Sequence, residues 1–381
     1  AVATQCGRWG QGRAEPYLVP PRADEAYFSA GQKLASSSHL VEDAMEEIVR
    51  QRPQDLLLPA RVCFIGEDGV DAGGLKKEFF QLLLGELFTG SYGMVKYFPE
   101  TRMQWFNSLS YGTDEQEWLV VGILFGLAVY NGVLLDVRLP QVAYKKLLGK
   151  PVGLNDLQDF QPELLKSFHQ LLEYSDADAT VEDIFCLDFS VTDEFLGEAV
   201  THELKPGGQD IPVTEANRRE YVNLYVEWIL NKRIEESFHA FRNGFLLLCG
   251  PVLKLFRAPE LEHLVCGTQE LDFNSLEAGA AYEGYTQASQ QVRWFWEVAH
   301  SLPIESKRLL LRFVTGSDRS PIGGLGKLQM KIQRAGPDSI RLPTSYTCFN
   351  AILLPEYTSR AKLRDRLETA INVAEQGFGL E

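Results

Sequence analysis

The residue of this sequence best suited to covalent chemistry is a cysteine near the carboxyl-terminal end. Cys348 lies in the run LPTSYTCFN (342–350), between Pro343 and Pro355 and among small hydroxyl residues. Prolines disfavour a central strand, so this composition predicts an exposed loop. An exposed thiol can ionise to a nucleophilic thiolate, whereas a buried thiol is inert. Because a lone loop cysteine is more often a bystander than a nucleophile, the residues alone leave both interpretations open.

Other motifs that could carry chemistry are incomplete. Residues 323–327 look like part of a phosphate-binding loop, but Pro321 occupies the first glycine position and Leu328 replaces the required Ser or Thr. The dipeptide at 202–203 begins like a zinc-protease helix, yet Pro206 stands where the second His belongs. The histidines form no pair at metal-ligand spacing, and Cys-x-x-Cys does not occur. We therefore expect neither a metal nor an organic cofactor.

Composition limits the classes of protein to consider. The chain has 381 residues, of which 45% are apolar and 23% are charged, so it can bury the cores of two or three domains. A net charge of −15 would repel a phosphate backbone, which argues against nucleic acid as a partner. The longest apolar runs are too short to cross a bilayer. Six scattered cysteines predict reduced thiols and a cytoplasmic or nuclear location.

Apolar periodicity predicts the elements that position Cys348. Residues 164–172 and 221–229 each place apolar side chains on one helical face, and up to about Val265 the chain is predicted to be mainly helical. Alternation over 328–333 predicts a half-buried strand, and a last helix is predicted from about Ser359. The final hundred-odd residues are therefore predicted to form a smaller α/β domain.

The segment Leu342–Tyr357 resembles the active-site segment of HECT domains, in which a cysteine accepts ubiquitin. The likeness continues in collinear order over about residues 40–381, and within the family it is most similar to the branch of the E6-associated protein. The further segments that carry the resemblance are 66–80, 202–214, 221–241, 295–297 and 313–328.

The resemblance implies an α+β, bilobal HECT fold with a larger, mainly helical N-lobe and a smaller α/β C-lobe. The implied divisions are an irregular segment (1–36), the N-lobe (37–266) with a conjugating-enzyme-binding subdomain (about 150–235), a hinge (267–269) and the C-lobe with the catalytic cysteine (270–381). Since the cysteine and the docking site lie on different lobes, the lobes must move to bring them together.

The resemblance also implies the activity of a ubiquitin-protein ligase. Cys348 would accept ubiquitin as a thioester from a charged conjugating enzyme and pass it to a substrate lysine, so the expected partners are that enzyme, ubiquitin and protein substrates. Phe378 matches a carboxyl-terminal Phe implicated in transfer, and Phe256 aligns with a position linked to weak self-association. The residues that match the hinge are Gly267, Thr268 and Gln269. Those that match the conjugating-enzyme site are Leu164, Phe168, Leu171, Phe185 and Tyr221.

One position departs from the family pattern. Tyr346 stands where the family commonly has a His two residues before the cysteine, which leaves the acid–base side of the mechanism open. Two alternatives to an active ligase follow. One is a catalytically weakened scaffold that only binds conjugating enzymes. The other is a cysteine hydrolase, which would need a His to activate the thiol, and none follows Cys348 in the chain.

Overall fold

The computed structural model describes residues 26–30, 38–64, 74–89, 93–107, 115–195, 198–250 and 252–377. The chain divides into two compact units. The first comprises residues 1–83, 127–136 and 263–381, and the second comprises residues 84–126 and 137–262. The lobe boundaries expected from the sequence stay a prediction.

Helices dominate the described part of the chain. Among the helices described, none is both long and apolar enough to cross a membrane. The α-helices of the described residues are α1 (Ser38–Arg50), α2 (Gly74–Thr89), α3 (Glu115–Tyr130), α4 (Gln141–Leu147), α5 (Pro162–Glu173), α6 (Val181–Phe185), α7 (Arg218–Leu230), α8 (Glu235–Cys249), α9 (Ala258–Cys266), α10 (Phe273–Ala278), α11 (Gln290–Ser301), α12 (Ile304–Thr315) and α13 (Arg360–Gly377).

The described strands form small sheets. They are β1 (Ala26–Ala30), β2 (Ala60–Phe64), β3 (Val95–Phe98), β4 (Met103–Phe106), β5 (Ser190–Phe195), β6 (Glu198–Glu203), β7 (Ala281–Glu283), β8 (Lys331–Arg334), β9 (Thr344–Tyr346) and β10 (Ala351–Leu354). Strands β1 and β2 pair in parallel, whereas β3–β4 and β5–β6 are antiparallel hairpins. The other four strands form one sheet in the order β7-β8-β10-β9. Helices combined with separate small sheets confirm the predicted α+β class.

Two local predictions differ from the structure. The strand expected over 328–333 begins only at Lys331, because Leu325–Leu328 forms a 3₁₀ turn and Gln329 has a left-handed φ of 49°. Met330 and Ile332 are buried and Leu328 is half-buried, so the periodicity identified the inward-facing positions but predicted the wrong backbone conformation. The segment expected to be irregular over 1–36 includes β1.

The first unit has a core built around the four-stranded sheet and three helices. Strands β8 and β10 contribute side chains that are fully buried, and α11, α12 and α13 cover them. Burial of this extent is the main driving force that holds the sheet in place. Representative core residues are Phe295, Leu311, Ile332, Ile352, Tyr357 and Leu367.

The second unit depends on a close crossing of α3 and α8. Helix α3 is buried on all sides from Val120 to Ala128, as expected for a helix that is apolar all round. A Cβ added to Gly122 would lie 1.9 Å from the Phe241 carbonyl oxygen, and one added to Gly244 would lie 2.0 Å from the Leu119 carbonyl oxygen. Glycine on both helices therefore lets the two backbones touch.

We predict that Gly122→Ala destabilises the protein by about 3 kcal/mol, because its methyl group forces α3 and α8 apart. The matched control is Gly85→Ala on α2, where an added Cβ meets nothing within 4 Å. That change should stabilise by about 0.5–1 kcal/mol through helix propensity. The measurement is the free energy of unfolding in denaturant. Equal effects of the two substitutions would contradict the close-crossing explanation.

Candidate active site

The backbone around Cys348 forms a turn at the edge of the four-stranded sheet. Strand β9 lies at that edge and leads into a single 3₁₀ turn, Thr347–Phe349, after which β10 enters the interior of the sheet. The predicted exposed loop is thus a short edge strand followed by an ordered turn, because β9 pairs with β10 in antiparallel register. Cys348 occupies the middle of the turn, and its side chain lies outside the described part of the structure.

Asn350 ends this turn and ties it to the rest of the sheet. Its backbone is left-handed, with φ 49°, a conformation that Asn tolerates better than most residues. Its side-chain amide donates to the Leu328 carbonyl at 2.8 Å, and its own carbonyl accepts from the Lys331 amide at 2.9 Å. The sequence pattern alone did not indicate this role. The available signal was an Asn directly between the expected exposed loop and the apolar run of residues 351–354.

Strand β10 holds the turn against the core. Ala351, Ile352 and Leu354 are all at most 2% exposed. The hydroxyl of Tyr285 donates to the Leu354 carbonyl at 2.9 Å. Burial raises the pKa of Tyr285 to about 12, so this phenol stays protonated and remains a donor at neutral pH.

The residues that flank Cys348 expose large side chains. Tyr346 is 56% exposed and Phe349 is 60% exposed, so apolar surface lies on either side of the cysteine in the chain. Such surface is available to a partner that approaches the turn. The nearest His upstream in the sequence, His300, contacts Glu277 at 2.7 Å through its Nε2 atom. The described contacts of His300 therefore give no support to a cysteine hydrolase.

The predicted hinge is tightly held on its carboxyl-terminal side. Thr268 and Ser320 exchange two backbone hydrogen bonds, of 2.7 and 2.8 Å, and Ser320 is only 1% exposed. Gly267 has φ +82°, and a Cβ there would lie 2.5 Å from the Ser320 carbonyl oxygen. Gln269 follows this bridge directly. A glycine is required at 267 for both reasons: the backbone conformation and the close approach.

The predicted conjugating-enzyme residues lie on α5, α6 and α7 of the second unit, and most of them are buried. Phe168, Leu171 and Tyr221 are at most 4% exposed, and the Phe168 ring centroid lies 6.5 Å from that of Tyr221. Burial raises the pKa of Tyr221 far above its usual value. Leu164 and Phe185 are half-buried. The helices are thus brought together by a shared aromatic core, and the binding role of all five residues stays a prediction.

The end of α6 offers an accessible surface in the same region. Ile184 on this helix is 55% exposed. An open pocket of about 360 Å³ is lined by the acidic residues Glu182, Asp188 and Asp210 and by exposed Cys186. Several acidic residues around one pocket favour a partner with a basic contact face.

Other predicted positions are placed as follows. Phe256 is half-buried after a 3₁₀ turn, Leu253–Leu255, beside the 80% exposed Leu255. Phe378 lies outside the described residues. Within the described ranges, no group of three or more His, Cys, Asp or Glu side chains is arranged to hold a metal ion.

Comparison with known families identifies this arrangement. The model of the HECT-domain (ubiquitin-transferase) family matches residues 81–381, which include the turn around Cys348. The chain belongs to the HECT-domain family. This match covers well over half of the chain, and it extends through both compact units.

Several relatives of this HECT chain are similar over nearly its whole length. It is 42% identical over 359 residues to the probable E3 ubiquitin-protein ligase HECTD2 of Mus musculus, which covers 90% of this chain and 46% of the relative. It is 41% identical to the probable E3 ubiquitin-protein ligase HERC4 of Homo sapiens (90% and 32%) and 38% identical to the probable E3 ubiquitin-protein ligase HUL4 of Eremothecium gossypii (88% and 42%). The chain thus spans less than half the length of these relatives.

We predict that Gly267→Ala destabilises this HECT chain more than Gly336→Ala does. Both glycines have positive φ, so Ala brings a backbone strain of about 1–2 kcal/mol at either position. Only at Gly267 must the methyl group also displace a carbonyl, since Gly336 has nothing within 4 Å. The free energy of unfolding, measured in denaturant, should therefore be lower in Gly267→Ala than in Gly336→Ala by about 1–3 kcal/mol. Indistinguishable midpoints would contradict the close approach of Ser320.

We predict that Phe168→Ala destabilises the protein by about 3–5 kcal/mol, because it removes a buried ring from the contact between α5 and α7. Leu164→Ala, on the same helix but half-buried, should cost less than about 2 kcal/mol. Urea-induced unfolding followed by far-UV circular dichroism measures both. If Phe168→Ala leaves the midpoint unchanged, the ring is not part of a core.

Proposed function

We propose that this chain is the transferring portion of a HECT-type E3 ubiquitin-protein ligase, with Cys348 as the residue that carries ubiquitin. The observation that carries the proposal is the family match over residues 81–381, which includes an ordered turn with a cysteine at its centre. The names of the relatives, all probable E3 ubiquitin-protein ligases, support it. The turn lies at the edge of the sheet, where a large partner can approach.

The first step transfers ubiquitin from the conjugating enzyme to Cys348. The Cys348 thiolate attacks the carbonyl carbon of the ubiquitin thioester, a new carbon–sulfur bond forms, and the bond to the conjugating enzyme's cysteine breaks. That cysteine leaves as a thiolate. Because one thioester replaces another, the step is nearly isoenergetic, and the protein contributes mainly by placing the two sulfur atoms.

The second step forms the product. A deprotonated lysine amine of the substrate attacks the thioester carbonyl carbon, the carbon–nitrogen bond forms, and the bond to Cys348 breaks. The amine loses a proton, and Cys348 leaves as a thiolate ready for the next cycle. A carbon–sulfur bond is exchanged for a more stable amide, so neither a metal nor an organic cofactor is needed.

The conjugating enzyme is the expected partner of the α5–α7 region. Half-buried Leu164 and Phe185 can contribute apolar contact there, and the carboxylates beside α6 favour a basic face on the partner. Phe168, Leu171 and Tyr221 would act by holding these helices in place, because their side chains are buried.

The branch within the family, the cellular location and self-association are separate assignments. The nearer likeness to the E6-associated protein stays a prediction without support, because the named relatives are of the HECTD and HERC types or HUL4. A cytoplasmic or nuclear location and weak self-association through Phe256 also stay predictions.

We predict that the chain, incubated with activating enzyme, conjugating enzyme, ATP and ubiquitin, gains an adduct that a reductant removes. Cys348→Ala should lose this adduct completely, because it lacks the attacking sulfur. Cys249→Ala, which removes a buried cysteine of α8, should keep it. Non-reducing electrophoresis with labelled ubiquitin measures the adduct, and parallel reactions with related modifiers test which modifier is used.

Two results would overturn the proposal. Persistence of the adduct in Cys348→Ala would assign the chemistry to another sulfur. Tight binding of a charged conjugating enzyme, with no adduct on the unsubstituted chain, would favour the binding scaffold instead.

A further inference from the structure

Helix α2 contacts the turn that contains Cys348 through a lysine side chain. The Nζ atom of Lys77 donates to the Thr347 carbonyl at 3.3 Å and to the side-chain oxygen of Asn350 at 3.1 Å. Both acceptors belong to the turn, one on each side of Cys348 in sequence. These residues lie within the first compact unit, although some 270 positions separate them in the chain.

One of the two contacts acts on the peptide bond that precedes the proposed nucleophile. The Thr347 carbonyl belongs to the peptide bond that ends at the Cys348 nitrogen, so its orientation is coupled to that of Cys348. Within the turn this carbonyl also accepts from the Asn350 amide, at the same distance of 3.3 Å. A hydrogen bond from an ammonium group is roughly twice as strong as a neutral one. Lys77 therefore adds a charged donor to a carbonyl that the turn holds with a neutral one.

Lys77 also completes the hydrogen bonding of Asn350. The side-chain nitrogen of Asn350 donates to the Leu328 carbonyl, its backbone carbonyl accepts from Lys331, and its side-chain oxygen accepts from Lys77. The end of the turn is thus held by Lys331 on β8 and by Leu328 just before β8. Lys77 on α2 supplies the partner of the Asn350 side-chain oxygen. The orientation of the turn depends on α2 as well as on the sheet.

A second side chain on the same face of α2 supports this contact. Gln81 lies one helical turn after Lys77, and its Nε2 atom donates to the Gly316 carbonyl at 3.2 Å. Gly316 ends α12 in a left-handed conformation, with φ +77°. Lys77 and Gln81 together hold α2 against the carboxyl-terminal part of the unit at two separate points.

We propose that Lys77 is a positioning residue that fixes the turn around Cys348 while the acceptor amine attacks the thioester. The inference rests on the proposed function. It assigns Lys77 to the second step because the contact leaves Tyr346 and Phe349 more than half exposed, so a thioester-linked modifier still has room beside the turn. The amine must approach the thioester carbonyl within a small range of angles and distances. A backbone that is held in position therefore increases the rate of attack.

The test separates loading of Cys348 from discharge. The unsubstituted chain, Lys77→Met and Lys77→Arg are each loaded with ubiquitin; loading is stopped, and free lysine is added. We expect Lys77→Met to load within about twofold of the unsubstituted chain and to discharge about tenfold more slowly, since one charged hydrogen-bonding group is lost. Lys77→Arg should recover most of the discharge rate because it keeps a cationic donor.

The matched control is Lys76→Met, at the neighbouring position of α2, which should change neither rate by more than about twofold. A second readout does not depend on activity: backbone amide hydrogen exchange over 347–350. We expect exchange there to be at least several times faster in Lys77→Met than in Lys76→Met, because the turn loses its restraint.

Three results would overturn the inference. They are discharge by Lys77→Met at the unsubstituted rate, equal losses of loading and discharge in that variant, and unchanged exchange over 347–350. Absence of any Cys348-dependent adduct on the unsubstituted chain is a different failure, because it removes the proposed function. In that case faster exchange in Lys77→Met would still support the restraint itself.

Discussion

The arrangement around the candidate nucleophile depends on one buried strand. Strand β10 pairs with β8 in parallel and with β9 in antiparallel register, and Ala351, Ile352 and Leu354 on it are buried in the core. Because the turn around Cys348 enters β10 directly, its carboxyl-terminal end cannot shift without breaking that pairing. The edge strand β9 limits the other end. The turn is therefore accessible at the sheet edge and also fixed in position. A free loop would be accessible but not fixed.

The sequence predicted well those features that are determined by local pattern. The helical stretches within α5 and α7 and the start of α13 follow from apolar periodicity, and the HECT resemblance of 342–357 led to the family. Features set by contacts between distant segments could not be predicted in this way. The 328–333 stretch illustrates the limit. Alternation identifies Met330 and Ile332 as buried, but it does not reveal that a 3₁₀ turn and a left-handed Gln329 precede the strand.

The candidate conjugating-enzyme site shows a second reason why sequence pattern is insufficient. An apolar stripe on a helix has the same periodicity whether it faces a core or a partner. Phe168 and Tyr221 fill the space between α5 and α7, while Leu164 on the same stripe remains half-buried. Only the packing of the neighbouring helices distinguishes them. The contacts of Lys77 could not be predicted from the sequence either, because Thr347 and Asn350 come close to it only in the folded chain.

The two hydrogen bonds between Thr268 and Ser320 have a consequence for the short backbone segment that precedes them. The Val265 carbonyl accepts from the Leu135 amide at 2.9 Å, so only Cys266 and Gly267 separate two hydrogen-bonded points. Cys266 is only 1% exposed, and Gly267 already has a positive φ. Any rearrangement of this segment must therefore change the dihedral angles of these two residues or first break one of the flanking hydrogen bonds.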